Sequence, residues 1–356
     1  MTAMKRDVRA LRILEIGDEG AFHRLVPGQA TWIWTNPAKV KDRGGRLDLK
    51  MTPWLAWKLR RQIIRGDFDL IILLATKDPL WRQDRFFLKN LWALFTRVIW
   101  RFHKFAHYLI FFDSKKKTPV VMIDFADEPT IAPQDHLFFP RLNFYFKREL
   151  PQNKWNCFLR TSRFNENSVN IQRNPFLREA MEKLRPFPLC LHKSPSFPEI
   201  LEENKTSDVF YVGAPRSTVR DDGSKLLDRL RDEGFRVDMP TERLSKEEFH
   251  RRMSASWLAW SPEGMGWECF RHHESLIHGA VPVINHPTIQ RYRPLLENQH
   301  AFYYSIEGND LMRVIKKALQ DKKHLLQMAA AGREHISRWF TPEPILRYLI
   351  EPDRNY

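Results

Sequence analysis

Cysteine is scarce in this chain: Cys157, Cys190 and Cys269 are all there is in 356 residues. They lie far apart, with no C-x-x-C pair and no even framework. That argues against a disulfide scaffold and against a structural zinc site, and it fits a reducing cytoplasm. Long uncharged apolar runs are missing as well, since no stretch reaches the roughly 18–20 residues that a membrane span needs. The N-terminal "MTAMKRDVRALRILEIG" is charged and has no apolar core of the signal-peptide kind. No G-x-G-x-x-G follows the first strand-like segment, which speaks against a dinucleotide ligand. Helix-turn-helix, RNP and zinc-finger patterns are absent, so no nucleic-acid partner is expected. Nothing repeats at a period of about 20–50 residues.

Acidic residues fall short of basic ones, 43 against 58, leaving a net charge of +15. Such a surface attracts polyanions: nucleic acid, anionic lipid, or phosphorylated sugars and nucleotides. Hydrophobic residues make up 43% and charged residues 28%, which is a globular balance. The length suits two domains of about 150 residues each. Twelve Trp and 25 Phe point to broad aromatic surfaces or bulky cores.

Strand and helix signals alternate along the chain. "LRILEIG", "ATWIWTN", "FDLIILLA" and "PVVMIDF" read as strands. "PWLAWKLRRQIIRG" reads as a helix from Pro53 that stops at Gly66. In the second half "DVFYVG" (208–213), "FRVDM", "WLAW" and "AVPVI" read as strands. Helices are expected from Ser224 to Glu233 with a stop at Gly234, after a Ser245/Glu248 capping box stapled by Leu244 and Phe249, and from Glu268 to His278. "NDLMRVIKKALQ" and "KKHLLQMAAAGREHISRWF" give two more. This succession predicts an α/β fold of two Rossmann-like, doubly wound domains facing across a cleft. The expected domains are 1–200, on the acceptor side, and 201–340, binding the donor, with 341–356 packing back toward the first. The boundary is placed in the polar stretch from Lys193 to Asp208.

The densest chemistry lies in "SPEGMGWECFRHHESLIHGAVPVINHP". Gly264 and Gly266 let backbone approach a ligand closely. Arg271, Glu274 and His278 are spaced i, i+3, i+7 and share a helix face, with Phe270 and Ile277 on another that can pack on the sheet. Arg271 can meet a phosphate, and Glu274 can accept from a ribose diol. A surface Arg–Glu pair is the plain alternative.

The pattern G-x-x-x-x-R-x-x-E-x-x-x-x-G-x-x-P-V-I, carried by Gly266, Arg271, Glu274, Gly279, Pro282, Val283 and Ile284, resembles the donor-site motif of exostosin-type glycosyltransferases. It is also similar to related bacterial enzymes of the GT-B class. The resemblance covers roughly residues 206–345. It implies a metal-independent transferase with no cofactor, whose co-substrate is a nucleotide sugar and whose acceptor is a glycan or lipid-linked. It also implies that Glu274 holds the donor ribose. The two glutamates seven residues apart of many retaining GT-B enzymes are absent, which leans toward inversion.

Other residues join as candidates. In "YVGAPRSTVR", Gly213, Arg216, Ser217 and Arg220 can hold a diphosphate; a solvated basic loop is the alternative. Asp124 and Asp127 in "VMIDFADEP" can take a hydroxyl proton, with turn-forming acids or a metal motif as rivals. Together with "FYFKREL", that block resembles a recurrent one in bacterial glycosyltransferases of this sort. Asp18 and His23, after the first strand, are further candidates for a base. Between Phe86 and Phe112, Arg97, Trp100, Arg101 and Lys104 suit a basic amphipathic helix that touches anionic membrane or acceptor, or else a buried domain helix. A cytoplasmic protein, peripheral on the inner membrane face, is the expectation. The second function class in view is a non-catalytic polyanion- or membrane-binding protein on the same scaffold.

Overall fold

The computed structural model describes residues 7–17, 19–34, 53–75, 105–112, 118–159, 175–214 and 217–352. They form two compact units. One is Met1–Phe187 with Ile345–Asn355 and the other Pro188–Pro344, so the polar stretch from Lys193 to Asp208 falls inside the second.

The first unit holds a sheet of β1 (Ile13–Gly17), β2 (Ala30–Trp34), β3 (Leu70–Leu74), β4 (Val120–Asp124), β5 (Phe144–Lys147) and β6 (Leu184–Pro186), in the order β2-β1-β3-β4-β5-β6. Every pairing is parallel. Strands β1, β3 and β4 are buried at each position, as continuous apolar runs require when helices cover both faces of a sheet. Helix α1 (Ala21–Leu25) follows β1, α2 is Pro53–Arg65 and α3 is Pro175–Glu182. Leu55, Leu59 and Ile63, at i, i+4 and i+8, carry α2 into the core. Gly66 ends it at φ 79°. From the closing segment, Tyr348 sets its ring against Phe146 at 5.1 Å and donates to the Pro186 carbonyl.

The second unit holds β7 (Ser207–Phe210), β8 (Val237–Asp238), β9 (Ser256–Trp260), β10 (Val281–Asn285) and β11 (Phe302–Tyr304), in the order β11-β10-β9-β7-β8 and again all parallel. Its helices are α4 (Thr218–Asp232), α5 (Lys246–Ser254), α6 (Arg271–Ile277), α7 (Asp310–Ala318) and α8 (Lys322–Trp339); α9 (Pro342–Ile350) follows, and from Ile345 on it belongs to the first unit. In both sheets the second strand lies outside the first and the third returns to its other side. The chain therefore reverses direction between β1 and β3, and again between β7 and β9. These are the places where open α/β sheets leave a crevice at the carboxyl ends of their strands.

Several expected boundaries move. Helix α4 starts six residues before the expected Ser224. Ser217 is its N-cap, accepting from the Arg220 amide, while the Ser224 hydroxyl donates back to the Arg220 carbonyl inside the helix. A glycine at 223 disfavours helix by about 1 kcal/mol relative to alanine. Packing overrides that cost, because a Cβ at 223 would lie 2.1 Å from the Trp260 ring. The helix expected from Glu268 starts at Arg271, because the Glu268 carboxylate instead accepts from the Leu189 amide at 2.7 Å. Phe270 does not pack on the sheet; it is 57% exposed, while Ile277 joins a core cluster. Ser245 caps α5 as expected, but the Glu248 carboxylate turns to Arg251 and Arg252. Strand β7 ends at Phe210, three residues early.

Lys205 fastens the second unit at one point. Its buried Nζ donates to the carbonyls of Ser254, Ser256 and Gly279 at 2.9, 2.8 and 2.7 Å. These belong to the end of α5, the start of β9 and the turn after α6. Burial pulls the ammonium down to about 8, so it stays charged at neutral pH. Lys205→Met leaves three buried acceptors without their charged donor. It should lower the unfolding free energy by about 2–4 kcal/mol, read as a fall in the urea midpoint at unchanged slope.

Candidate functional site

The second unit's switch point is built from the segments that leave β7 and β9. Tyr211, directly after β7, is buried and lays its ring on Trp260 at 4.3 Å. The Arg271 guanidinium stands over Tyr211 itself, 5.3 Å from the ring centre. Gly213 lets the chain pass the tyrosine, since a Cβ there would come within 2.7 Å of the Tyr211 hydroxyl. Ser217 then caps α4. Arg220, one turn in, donates from Nε to the Glu263 carbonyl at 2.8 Å and from Nη1 to the Ala214 carbonyl at 3.2 Å. It thereby ties the loop after β7 to the loop after β9. A Cβ on Gly264 would stand 3.0 Å from the Arg220 Nη2, so that contact too depends on a missing side chain. Gly266 turns the same loop, its carbonyl accepting from the Gly264 amide at 2.8 Å.

Three buried polar atoms around this point have no hydrogen-bond partner: Tyr211 Oη, Ser261 Oγ and Arg271 Nη1. The arginine matters most. Only 9% of it is exposed, and no carboxylate lies in ion-pair range among the described residues. A buried, unpaired cation costs several kcal/mol, so native structures rarely keep one without a use. Glu274, one turn on, is half-buried, and its carboxylate accepts no hydrogen bond among the described residues. Burial raises its carboxyl above the ordinary range and the nearby Arg271 works against that rise. His278 leaves this face to stack on His250 at 4.0 Å, and burial takes it down to about 4.

Two further residues of this site had no part in the sequence expectation. Asn285, at the end of β10, accepts from the Glu263 amide at 2.9 Å and donates to the Glu263 carboxylate at 3.0 Å. Tyr211 was hidden because a tyrosine after an apolar strand reads as more strand. Arg216 lies outside the described residues, as do Asp18, Arg97, Trp100, Arg101 and Lys104.

At the first unit's switch point, the Glu15 carboxylate of β1 is fully buried. It accepts from the amides of Phe22 and His23 at 3.2 and 2.8 Å and so holds the start of α1. His23 is half-buried, with Nδ1 2.9 Å from the Ala30 carbonyl. A carbonyl only accepts, so Nδ1 carries a hydrogen, and in the neutral ring the lone pair falls on Nε2. Glu15 carries a signal that the sequence offered, an acid within an apolar strand.

The blocks holding Asp124 and Lys147 do meet. The two residues pair across β4 and β5, and the Lys147 Nζ donates to Asp124 at 2.8 Å, both groups buried. Tyr145 Oη and the Ala126 amide donate to the same carboxylate. With three donors engaged, Asp124 is fastened into the end of the sheet. Asp127 is half-buried and paired with Arg148, which also reaches Glu149.

A chain with two doubly wound parallel sheets of this order is an α/β protein of the GT-B type, as expected from the sequence. Solved structures share the arrangement. A glycosyltransferase from Rickettsia africae ESF-5 superposes with a TM-score of 0.51 at 8% identity, over 96% of this chain and 99% of that one. Sucrose-phosphate synthase from Thermosynechococcus elongatus does so at 0.50 and 10% identity, over 96% and 98%. At such identities the likeness is one of fold. No family model matches the chain, and no curated protein does.

Two outcomes follow from the geometry. Arg271→Met removes a lone buried charge, so the ligand-free protein should unfold at the same free energy or up to about 1 kcal/mol higher, while losing affinity for anions. Melting curves with and without nucleoside diphosphate separate the two effects. For Glu15, burial lifts the pKa from 4.5 to about 7 against the pull of the two amides. The folded state then holds the extra proton between those values. This group's contribution to stability is full below about pH 4.5 and falls, by on the order of 3 kcal/mol, as pH rises to 7. Glu15→Gln should flatten that part of the stability–pH curve, measured by urea unfolding at pH 5 and pH 8.

Proposed function

We propose that the protein is a glycosyltransferase that moves a sugar from a nucleotide-sugar donor to a glycan or lipid-linked acceptor, in the synthesis of a cell-surface polysaccharide or lipopolysaccharide. The observation that carries this reading is the unpaired Arg271 at the switch point of the second sheet, with the uncommitted carboxylate of Glu274 one turn along the same helix. A sugar nucleotide has the complementary groups. Its diphosphate supplies the anion for Arg271, and its ribose diol supplies donors for Glu274. The GT-B fold and the exostosin-like residue pattern support the same assignment. Arg220, whose guanidinium already braces two loops, shapes the phosphate-binding turn rather than leading it. Arg216 remains a candidate second contact.

Acceptor activation is assigned to the first unit, with His23 preferred over Asp127, Asp124 and Asp18 because its Nε2 is held as a proton acceptor. The acceptor oxygen bonds to the anomeric carbon, its proton passes to the base, and the nucleoside diphosphate leaves with the electron pair of the broken C–O bond. No metal and no cofactor is assigned to this step.

The test is a thermal-shift screen against UDP-, GDP-, ADP-, dTDP- and CMP-linked sugars. A ligand at 100 times its Kd adds about 2.7 kcal/mol of apparent stability, so the right base stands out. Glu274→Ala should weaken the donor that scores by about 10–100-fold in calorimetry, as expected for losing a charged acceptor. Unchanged affinity in that variant would reject the role given to Glu274, and no stabilisation by any donor would reject the transferase reading.

The alternative, a membrane- or polyanion-binding protein without catalysis, has one observation of its own. Helix α2 exposes Trp54 and Trp57, 66% and 51%, with Lys58 and Arg61 lying over their rings. Indoles beside cations suit the interface of an anionic bilayer. Among the described residues no helix is long and apolar enough to cross a membrane. Replacing both tryptophans with alanine should cut co-sedimentation with phosphatidylglycerol vesicles several-fold. Sugar transfer to a soluble acceptor should be unaffected if the transferase reading holds, and absent in the wild type if the alternative does.

A further inference from the structure

One group of ligand-type side chains takes no part in the transfer just described. Cys190 and His192 lie near the start of the second unit, and His273 lies on α6. Cys190 and His273 are buried and His192 is half-buried. The Cys190 Sγ and one nitrogen from each imidazole all fall within 4.8 Å of one another, the one such grouping of histidine, cysteine and acidic side chains among the described residues. His192 Nε2 and His273 Nδ1 are 3.2 Å apart. The surroundings hold both rings in place. The His192 amide donates to the Phe340 carbonyl at 2.9 Å, and the Phe340 ring stands edge-on to His273 at 4.3 Å.

One thiolate and two imidazoles make a donor set for zinc and similar borderline-soft ions. Two nitrogens bound at about 2.0–2.1 Å to one tetrahedral ion stand roughly 3.3 Å apart, close to the separation found here.

We propose that Cys190, His192 and His273 bind one divalent transition-metal ion of the zinc class, with a water completing the four-coordinate shell. Without the ion, one imidazole donates an N–H to the other. On binding, that ring moves its proton to its other nitrogen, the Cys190 thiol releases a proton to solvent, and the three freed lone pairs meet the ion. No electron is transferred. The ion fastens the segment at 190–192 to α6, the helix that carries Arg271 and Glu274. Its role is to hold that helix, whatever ligand the helix binds.

The test uses the full chain, stripped with a chelator and then titrated with Zn²⁺ against a chromogenic competitor, and separately with Co²⁺. One ion per chain is expected. The Co²⁺ form should show a thiolate-to-metal charge-transfer band in the near ultraviolet, lost in Cys190→Ser. Outer-shell changes at such sites already cost about 10–100-fold in affinity, so loss of a direct ligand in His192→Ala should weaken Zn²⁺ by at least about 100-fold. Added Zn²⁺ should raise the Tm of the wild type and leave that of His192→Ala where it was. If His192→Ala does not fold, Cys190→Ala serves in its place, with its zinc-free melting curve compared with that of the zinc-free wild type. Substoichiometric Zn²⁺ in the wild type, a Co²⁺ spectrum without the thiolate band, or equal affinity in the variants overturns the proposal.

Discussion

The second unit is arranged around the indole of Trp260. This ring is fully buried at the end of β9, donates from Nε1 to the Tyr304 hydroxyl at 2.9 Å, and takes Tyr211 on its face. It also fills the space that any side chain at 223 would need. One residue therefore fixes the approach of α4, the path of the chain leaving β7, and the platform under Arg271. A tilted aromatic contact of this kind adds about 0.5–1.5 kcal/mol beyond area burial. Its larger effect is geometric, because core packing and ligand-facing chemistry share one rigid piece.

That sharing explains how a costly group is tolerated. An arginine without a carboxylate inside a protein is unfavourable, and a tyrosine face offsets part of the cost through the ring quadrupole. The remainder is met by the stability of the surrounding core. Under the donor role proposed for it, Arg271 would be preorganised, because the cation is desolvated before any anion arrives. In the first unit the Asp124–Lys147 pair shows the opposite solution. There a buried charge is matched within the sheet and surrounded by further donors, which suits a fixed scaffold.

Much of this was legible in the sequence. The apolar runs located nearly every central strand, because a strand buried on both faces admits few polar residues. The spacing of Arg271 and Glu274 placed them together, and the acidic block around Asp124 was linked to the one around Lys147. Strand order was not legible, since parallel pairing joins segments far apart in the chain. Without that order the two reversal points could not be located. Ser217 was missed as a cap because Gly223 argues against helix until Trp260 is known to occupy its side-chain space. Asn285 looks like an ordinary strand end, and only its register beside β9 brings it to Glu263. The three scattered cysteines argued against metal for want of a local motif. Folding sets Cys190 beside two histidines, one of them more than eighty residues away.

Gly332 lies in the middle of α8, where a Cβ would press to 2.5 Å from the Leu276 side chain of α6. Alanine would have favoured the helix by about 1 kcal/mol. By omitting it the molecule lets the Leu276 side chain of α6 seat against the backbone of α8, and Arg333 adds hydrogen bonds to the Leu276 and Ile277 carbonyls. The short α6, with no side chain capping its start, thus borrows stiffness from its eighteen-residue neighbour. A methyl group at 332 would act as a wedge against Leu276, displacing α6 from behind while leaving Arg271 and Glu274 in the sequence intact.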